Sequence, residues 1–435
     1  MEGDSGALRA GEGDGDTMFH FCDLGGGASR KNSVCEEAGG SCSAAAVDDS
    51  GANYVFNNGG ADESPLDLNT SKVGIDDFEI LKLIGQGGYG KVYQVRKKDT
   101  DEIFAMKVMD KSFLLESGSV EGTRIERDIL RTVRHPFVVS LYYAFQNKKK
   151  VYLVMDYMNG GQLFYHLREE AMFSENLVQF YAAEIVLALQ HLHQDLDVIH
   201  RDLKPENILL GSDGHISLTD FGLAKDNMSE RSKTSTFCGT VEYMAPEMVS
   251  GEGYHQSADW WSLGVLMYDM LTGSPPWTSK NQGVLQKKIR EAKLRMPPYI
   301  SPEANSIIRG FLTKDVKKRL GSGPKGIQEI KNHRFFKGIN WRKLLNKELD
   351  PPFKPRIEKG QLDCAHFDKR FTEQTAFDTP VNSLDGLSTS QDQLFFGFSY
   401  VRSSSPKSFG SVEDVTEAHS LQAFSPPSTA PSERL

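Results

Sequence analysis

The chain has 435 residues, 39% hydrophobic, 25% charged and 10% aromatic, a composition that excludes a collagen-like or wholly disordered polymer. Its formal net charge of −9 resides in residues 1–74, with 13 acidic and 4 basic side chains; the other 361 residues carry 46 of each. A neutral body suggests neither nucleic acid nor membrane as partner.

Five cysteines with no C-x-x-C pair fit neither a disulfide framework nor zinc, so reduced thiols are expected. The first thirty residues lack a secretory signal, and no apolar run approaches the roughly 18 residues of a membrane helix. A soluble monomer in the cytoplasm, with the nucleus as a second location, is the expectation.

Residues 1–74 contain 14 glycines and few large apolar residues, which predicts a disordered leader interrupted by an apolar island at 18–24. Alternation typical of half-buried strands begins at 78–84 and returns at 91–95, 103–108 and 151–155. From about Leu177 the period becomes helical, with Phe180, Ile185, Leu189 and Leu192 spaced over several turns. Further helices are predicted over 262–271, 284–291 and 306–312. A strand-rich lobe followed by a larger helical lobe reads as α+β. Residues 403–435, with 15 Ser, Thr or Pro among 33, predict a second disordered segment.

Gly85-Gln86-Gly87-Gly88-Tyr89-Gly90 is a G-x-G-x-x-G motif, and glycine-rich turns alone are common. A dinucleotide fingerprint would need a helix directly after it. The following Lys91-Val92-Tyr93-Gln94-Val95 alternates instead, which fits a glycine flap over nucleotide phosphates. Lys107 ends a strand-like run, and Glu126 sits nineteen residues on in a predicted helix. A pair between them would aim the ammonium at the α/β-phosphates.

His200-Arg201-Asp202-Leu203-Lys204-Pro205-Glu206-Asn207 matches the protein-kinase catalytic loop at every specified position. Asp202 would accept the substrate hydroxyl proton, Asn207 would reach a magnesium ion, and Lys204 would neutralise charge on the transferring group. Asp220-Phe221-Gly222 follows, with Asp220 for the other magnesium, and Ala245-Pro246-Glu247 closes the segment. Six ordered motifs at these spacings predict a protein kinase using ATP and Mg2+.

From Phe78 to about Phe336 the chain resembles Ser/Thr protein kinases of the AGC group, in particular p70-type ribosomal protein S6 kinases, including plant versions. Lys204-Pro205-Glu206 is the Ser/Thr form of the loop. Beyond the core, residues 351–355 resemble the family's tail segment that wraps the small lobe. Phe367-Asp368 resembles the part approaching the nucleotide, Thr379-Pro380 the turn-motif phosphosite, and residues 395–400 the F-x-x-F-S/T-Y hydrophobic motif. The implied fold is bilobal. Its parts would be a leader at 1–74, a kinase domain at 78–336 divided into lobes 78–157 and 158–336, a tail at 337–402 and an extension at 403–435.

The resemblance implies further roles. Ile84, Gly85, Gly87, Gly90, Val92, Ala105, Met155 and Leu209 would surround the nucleotide, with Asp156 and Met158 supplying hinge backbone bonds. Phe221, Leu130, Leu141 and His200 would stack as an internal spine, and Glu247 with Arg319 would pair in the large lobe. Thr236, Thr379 and Ser399 would be phosphorylated, with Arg201 and Lys225 receiving the Thr236 phosphate. Phosphoinositide-dependent kinase, through the hydrophobic motif, and the target-of-rapamycin complex would be partners.

Gln162 stands where many relatives carry an acid that contacts ribose and a substrate arginine, which removes one charge from the substrate subsite. Glu206 and Asp269 match the other acidic positions, so substrates with Arg or Lys upstream of Ser or Thr are expected. Phe21-Cys22-Asp23-Leu24-Gly25 loosely resembles a recruitment motif for the target-of-rapamycin complex but lacks its apolar fifth residue. The alternatives are another AGC kinase, or an inactive scaffold of the same fold. Scaffolds typically lose a member of the set Lys107, Glu126, Asp202, Asn207 and Asp220, and all five are present.

Overall fold

The computed structural model of the chain describes residues 73–88, 90–225, 239–378 and 388–402. The small lobe carries β1 (Phe78–Gly87), β2 (Gly90–Lys97), β3 (Ile103–Asp110), β4 (Leu141–Gln146) and β5 (Lys150–Asp156). A second, two-stranded sheet is formed by β6 (Ile208–Leu210) and β7 (Ile216–Leu218), and the tail contributes β8 (Tyr400–Val401). The main sheet is antiparallel throughout, in the order β1-β2-β3-β5-β4-β8. All four strand-like runs read from the sequence therefore fall within strands.

Alternation along these strands separates two cores. One face sends Phe78, Tyr93, Val95, Phe104, Met106 and Val108 into a cluster confined to the small lobe. The other sends Met109, Leu141, Leu153 and Met155 into a core that continues through the large lobe. Between β3 and β4 lie α1 (Lys111–Glu116) and α2 (Val120–Thr132). The buried residues of α2, Thr123, Glu126, Arg127, Ile129 and Leu130, recur at helical spacing and set its inner face.

The large lobe begins with α3 (Leu163–Glu170) and α4 (Glu175–Gln190). The Ser174 hydroxyl caps α4 by accepting from the Leu177 N–H, and Phe180, Ile185, Leu189 and the following Leu192 are all buried. After the short α5 (Pro246–Val249), α6 (Ser257–Thr272) runs through the core, apolar on nearly every side. It ends at Gly273, whose φ of +77° lets its N–H reach the Asp269 carbonyl at 2.7 Å. The exposed α7 (Gln282–Glu291) and α8 (Pro302–Phe311) complete the predicted helices. Two shorter ones, α9 (Ile327–Lys331) and α10 (Trp341–Leu345), lead into the tail. Among the described residues no helix is long and apolar enough to cross a membrane.

The tail follows a different route from the one its motifs suggest. Residues 351–355 lie against the hinge and large lobe rather than the small lobe. Phe353 packs edge-on to His166 of α3 at 5.2 Å, and Pro355 lies close over Gly160. The wrap around the small lobe starts later, where Gln94 donates to the Gln361 carbonyl and Tyr157 to that of Asp363. Past α11 (Lys369–Thr372), Lys150 and Tyr152 both bind Asp378. Finally α12 (Thr389–Gln393) and β8 bring the hydrophobic motif to α2 and β4. Cys364, the described cysteine, forms no disulfide.

Candidate active site

The glycine-rich run forms the hairpin between β1 and β2, with Gly85 opposite Val92 and Gly87 opposite Gly90, as the β-rich flank predicted. Gly90 has φ +153°, and a Cβ there would sit 2.1 Å from the Val108 carbonyl oxygen, so the hairpin can lie on β3 only without a side chain. Cross-strand pairing puts Val92 opposite Lys107 and Ala105 opposite Met155, so these four residues share one face of the sheet. Ile84 is buried beside this hairpin and Leu209 lies on β6. In the hinge, the Asp156 N–H is committed to the Ser140 carbonyl and the Met158 carbonyl to the Gly161 N–H. The Asp156 carbonyl and Met158 N–H are the groups these two bonds leave for a ligand.

Lys107 donates to both oxygens of Glu126, at 2.7 and 2.9 Å, and to Asp220 at 3.2 Å. Burial alone would lower the lysine's pKa, but Asp220 and Glu126 outweigh it and hold Lys107 above the ordinary lysine range. Burial also tends to raise Asp220, yet Lys107 and Lys204 keep it below the usual carboxylate range. The Asp220 side chain remains 40% exposed, so it stays ionised and reachable.

The catalytic-loop backbone hangs on Asp259, a fully buried residue of α6. Its carboxylate accepts from His193 Nε2 at 2.8 Å, His200 N–H at 2.9 Å and Arg201 N–H at 3.0 Å. These bonds hold Arg201 at φ +68°, and Asp220 sits at φ +62°; both conformations are costly for residues with a Cβ. Asp202 accepts at both oxygens. Asn207 Nδ2 reaches its Oδ2 at 3.0 Å, Lys204 Nζ lies 2.7 Å from the same oxygen, and the Thr240 N–H reaches Oδ1 at 3.1 Å. The Thr240 hydroxyl accepts from Lys204 at 3.0 Å and donates to Asp202, bridging the two. Thr240 and Asp259 are the functional residues that the motifs did not reveal.

Gln162 is exposed at the start of α3, its backbone bridged to Leu209. Glu206 has a buried Oε2 with no hydrogen-bond partner. Burial pushes its carboxyl up, Lys204 pulls it back, and Asp202 and Asp269 add to the rise. Asp269 is buried, accepts from the Tyr243 hydroxyl at 2.5 Å, and is pushed by burial up to about 6. The expected internal stack is present: His200 and Phe221 rings lie 5.0 Å apart, and Leu130 and Leu141 are fully buried in the same core. So is the pair of Arg319 with both oxygens of Glu247, at 2.6 and 2.8 Å.

Thr236 and Thr379 lie outside the described residues. Of their expected surroundings, Arg201 donates to the carbonyls of Leu223 and Ala224, and the Lys225 backbone pairs with Ile199. Ser399 is exposed, between two docked segments. Phe395 and Phe398, each 1% exposed, lie under Lys111 and Arg127 at 4.8 and 5.4 Å, and Tyr400 lies beneath Arg131 at 5.8 Å. Their burial makes them anchors of the tail.

Two family models match: the protein kinase domain over residues 78–336 and the protein kinase C terminal domain over 359–400. The serine/threonine-protein kinase AtPK2/AtPK19 of Arabidopsis thaliana is 49% identical over 342 residues, covering 79% of this chain and 71% of the relative. Protein kinase 2 of Dictyostelium discoideum is 49% identical over 346 residues, 79% of this chain and 71% of its own. Ribosomal protein S6 kinase beta of Caenorhabditis elegans is 48% identical over 334 residues, 76% of this chain and 60% of its own. Protein kinases use ATP, typically with Mg2+, and the bilobal α+β fold, the intact lysine–glutamate pair and the tail all agree with these matches. The chain belongs to the protein kinase family and is a serine/threonine kinase of the AGC group.

Proposed function

We propose that the enzyme phosphorylates Ser or Thr in segments with Arg or Lys upstream of the acceptor, as an S6-kinase-type enzyme acting on proteins of the ribosomal protein S6 class. The observation that carries this reading is Glu206. A buried carboxylate oxygen without a partner, beside a second buried acid, is costly until a cation meets it. A guanidinium or ammonium from the substrate is that cation. The exposed amide of Gln162 offers no charge, so selection rests on Glu206 with Asp269 behind it.

In the transfer, the bond from the acceptor oxygen to the γ-phosphorus forms as the bond to the ADP oxygen breaks, and the hydroxyl proton passes to Asp202. Lys107 positions the α/β-phosphates and Lys204 stabilises charge on the moving group. The donor set fits magnesium. The Asn207 amide nitrogen is committed to Asp202, which leaves its oxygen for a cation, and Asp220 adds an ionised, reachable carboxylate. Few protein oxygens suit an ion that completes its shell with phosphates and water. Magnesium, when bound, neutralises phosphate charge.

Regulation follows the same reading. Phosphoinositide-dependent kinase acts on Thr236 through the docked hydrophobic motif, target-of-rapamycin signalling controls Ser399, and Thr379 is a third phosphosite. The enzyme works as a monomer in the cytoplasm, with the nucleus as a second location.

The test is phosphate transfer from labelled ATP to a degenerate Ser/Thr peptide array and to ribosomal protein S6, after treatment with phosphoinositide-dependent kinase. Wild type should transfer with upstream Arg preference, Asp202→Ala should lose transfer while binding ATP, and Gln162→Glu should select Arg more strongly. Wild-type turnover in Asp202→Ala would overturn the mechanism, and transfer indifferent to upstream Arg would overturn the substrate class.

A further inference from the structure

The body of the chain is neutral, yet its charge is not evenly spread. Residues 280–295 carry six Lys or Arg and one Glu. Within α7, Leu285 and Ile289 are buried, and the outward face presents Val284, Lys287 and Lys288, one turn apart. Arg290 and Lys293 are exposed as well, and none of these four cations ion-pairs with a described carboxylate. The stretch is also apolar in places: Val284 is 47% and Tyr299 62% exposed. A fixed scaffold supports it, because Tyr268 of α6 donates to the Arg295 carbonyl at 3.1 Å and Lys314 to that of Ala292 at 2.7 Å. Unneutralised like charges this close repel one another unless counterions or an acidic ligand cover them.

The leader holds the opposite pattern. Glu12, Asp14 and Asp16 precede Met18, Phe19 and Phe21, and Asp23 stands before Leu24, so acidic and large apolar residues share one short stretch. We propose that leader residues 12–24 dock in cis on the basic face of α7, with carboxylates over Lys287, Lys288, Arg290 and Lys293 and an aromatic ring against Val284. The leader carries the chain's whole net charge of −9, and residues 280–295 combine a net charge of +5 with the exposed apolar side chain of Val284. Between Leu24 and position 74 lie 49 residues. For a random coil of that length the root-mean-square span is roughly 35–40 Å, with effective end-to-end concentrations on the order of millimolar. Docking there covers a surface on the large lobe, remote in sequence from the catalytic loop.

The test uses the full-length chain and a zero-length carbodiimide, which joins carboxylates to lysines, followed by mass spectrometry on a mixture of light and isotope-labelled protein. Asp14, Asp16 and Asp23 should cross-link to Lys287, Lys288 and Lys293 within one chain. The yield should fall about tenfold between 0.05 and 0.5 M NaCl, as screening shortens. Phe19→Ala with Phe21→Ala keeps every cross-linkable group and should lower the yield at least about threefold. Links spread evenly over lysines elsewhere, links only between chains, or no links from 12–24 would each overturn the proposal. An unchanged yield in the double-alanine variant would overturn the seat for the apolar island.

Discussion

Two buried charge clusters do opposite jobs. In the large lobe, one guanidinium meets one carboxylate through two short bonds, and Arg319 and Glu247 are almost completely enclosed. In the cleft, one ammonium is shared by two carboxylates, and the second of these, Asp220, stays 40% exposed. The first arrangement is complete and has no use for a further ligand. The second keeps a negative charge in excess at a reachable position, the condition for receiving a divalent cation and its phosphates. Stoichiometry and closure, rather than burial, separate the structural pair from the functional one.

Four measurements break or sharpen this contrast. Lys107→Met should lower kcat roughly a thousandfold or more in a labelled-ATP assay. Its melting temperature should fall less than that of an Arg319 variant, because burial already holds Glu126 above the usual carboxylate range and a proton can replace the lysine. Arg319→Ala leaves Glu247 buried and unpaired, so urea denaturation should show a loss of about 3–5 kcal/mol. Activity per folded molecule should survive that loss. If it vanished in fully folded protein, the distinction between the clusters would fail.

Thr240→Val keeps the shape of the side chain and removes the hydroxyl between Lys204 and Asp202. A bond to a charged group is worth about 1.5–3 kcal/mol, so kcat should drop about tenfold or more while peptide KM changes little. The smallest effect is a pH dependence. Asp269 ionises near 6, so discrimination of Arg over Ala upstream should grow as pH rises from 5 to 7.5, and Asp269→Asn should flatten that profile. Because its folded-state value lies above the ordinary aspartate value of 3.8, its contribution to stability is full below 3.8 and is lost as pH rises towards 6.

Much of this site is written locally. The loop 200–207 keeps its catalytic groups within eight consecutive residues, and Phe78, Lys107 and Met155 sit in strands whose alternation is visible in the sequence. The support is not local. Asp259 grips the loop from 58 residues away at Arg201, and nothing in its surroundings, an Asp opening an apolar helix, distinguishes it from an exposed first-turn acid. Thr240 was hidden for the same reason, since its partners lie 36 and 38 residues upstream. Residues 351–355 could be matched to a tail but not routed, because the path depends on shapes such as the bare backbone at Gly160 that Pro355 covers.

The two residues of β8 have a consequence for the life of the chain outside its catalytic cycle. They pair with β4, one of the two edge strands of the kinase domain's own sheet, at Tyr143 and Ala144. A strand edge without a partner is a template for another chain, and during synthesis β4 emerges more than 250 residues before its cover. Until the carboxy-terminal segment arrives, that edge is open to pairing with a neighbour. Docking of the hydrophobic motif is therefore also a guard against aggregation, and truncations that remove it should tax the cell's chaperones before they tax catalysis.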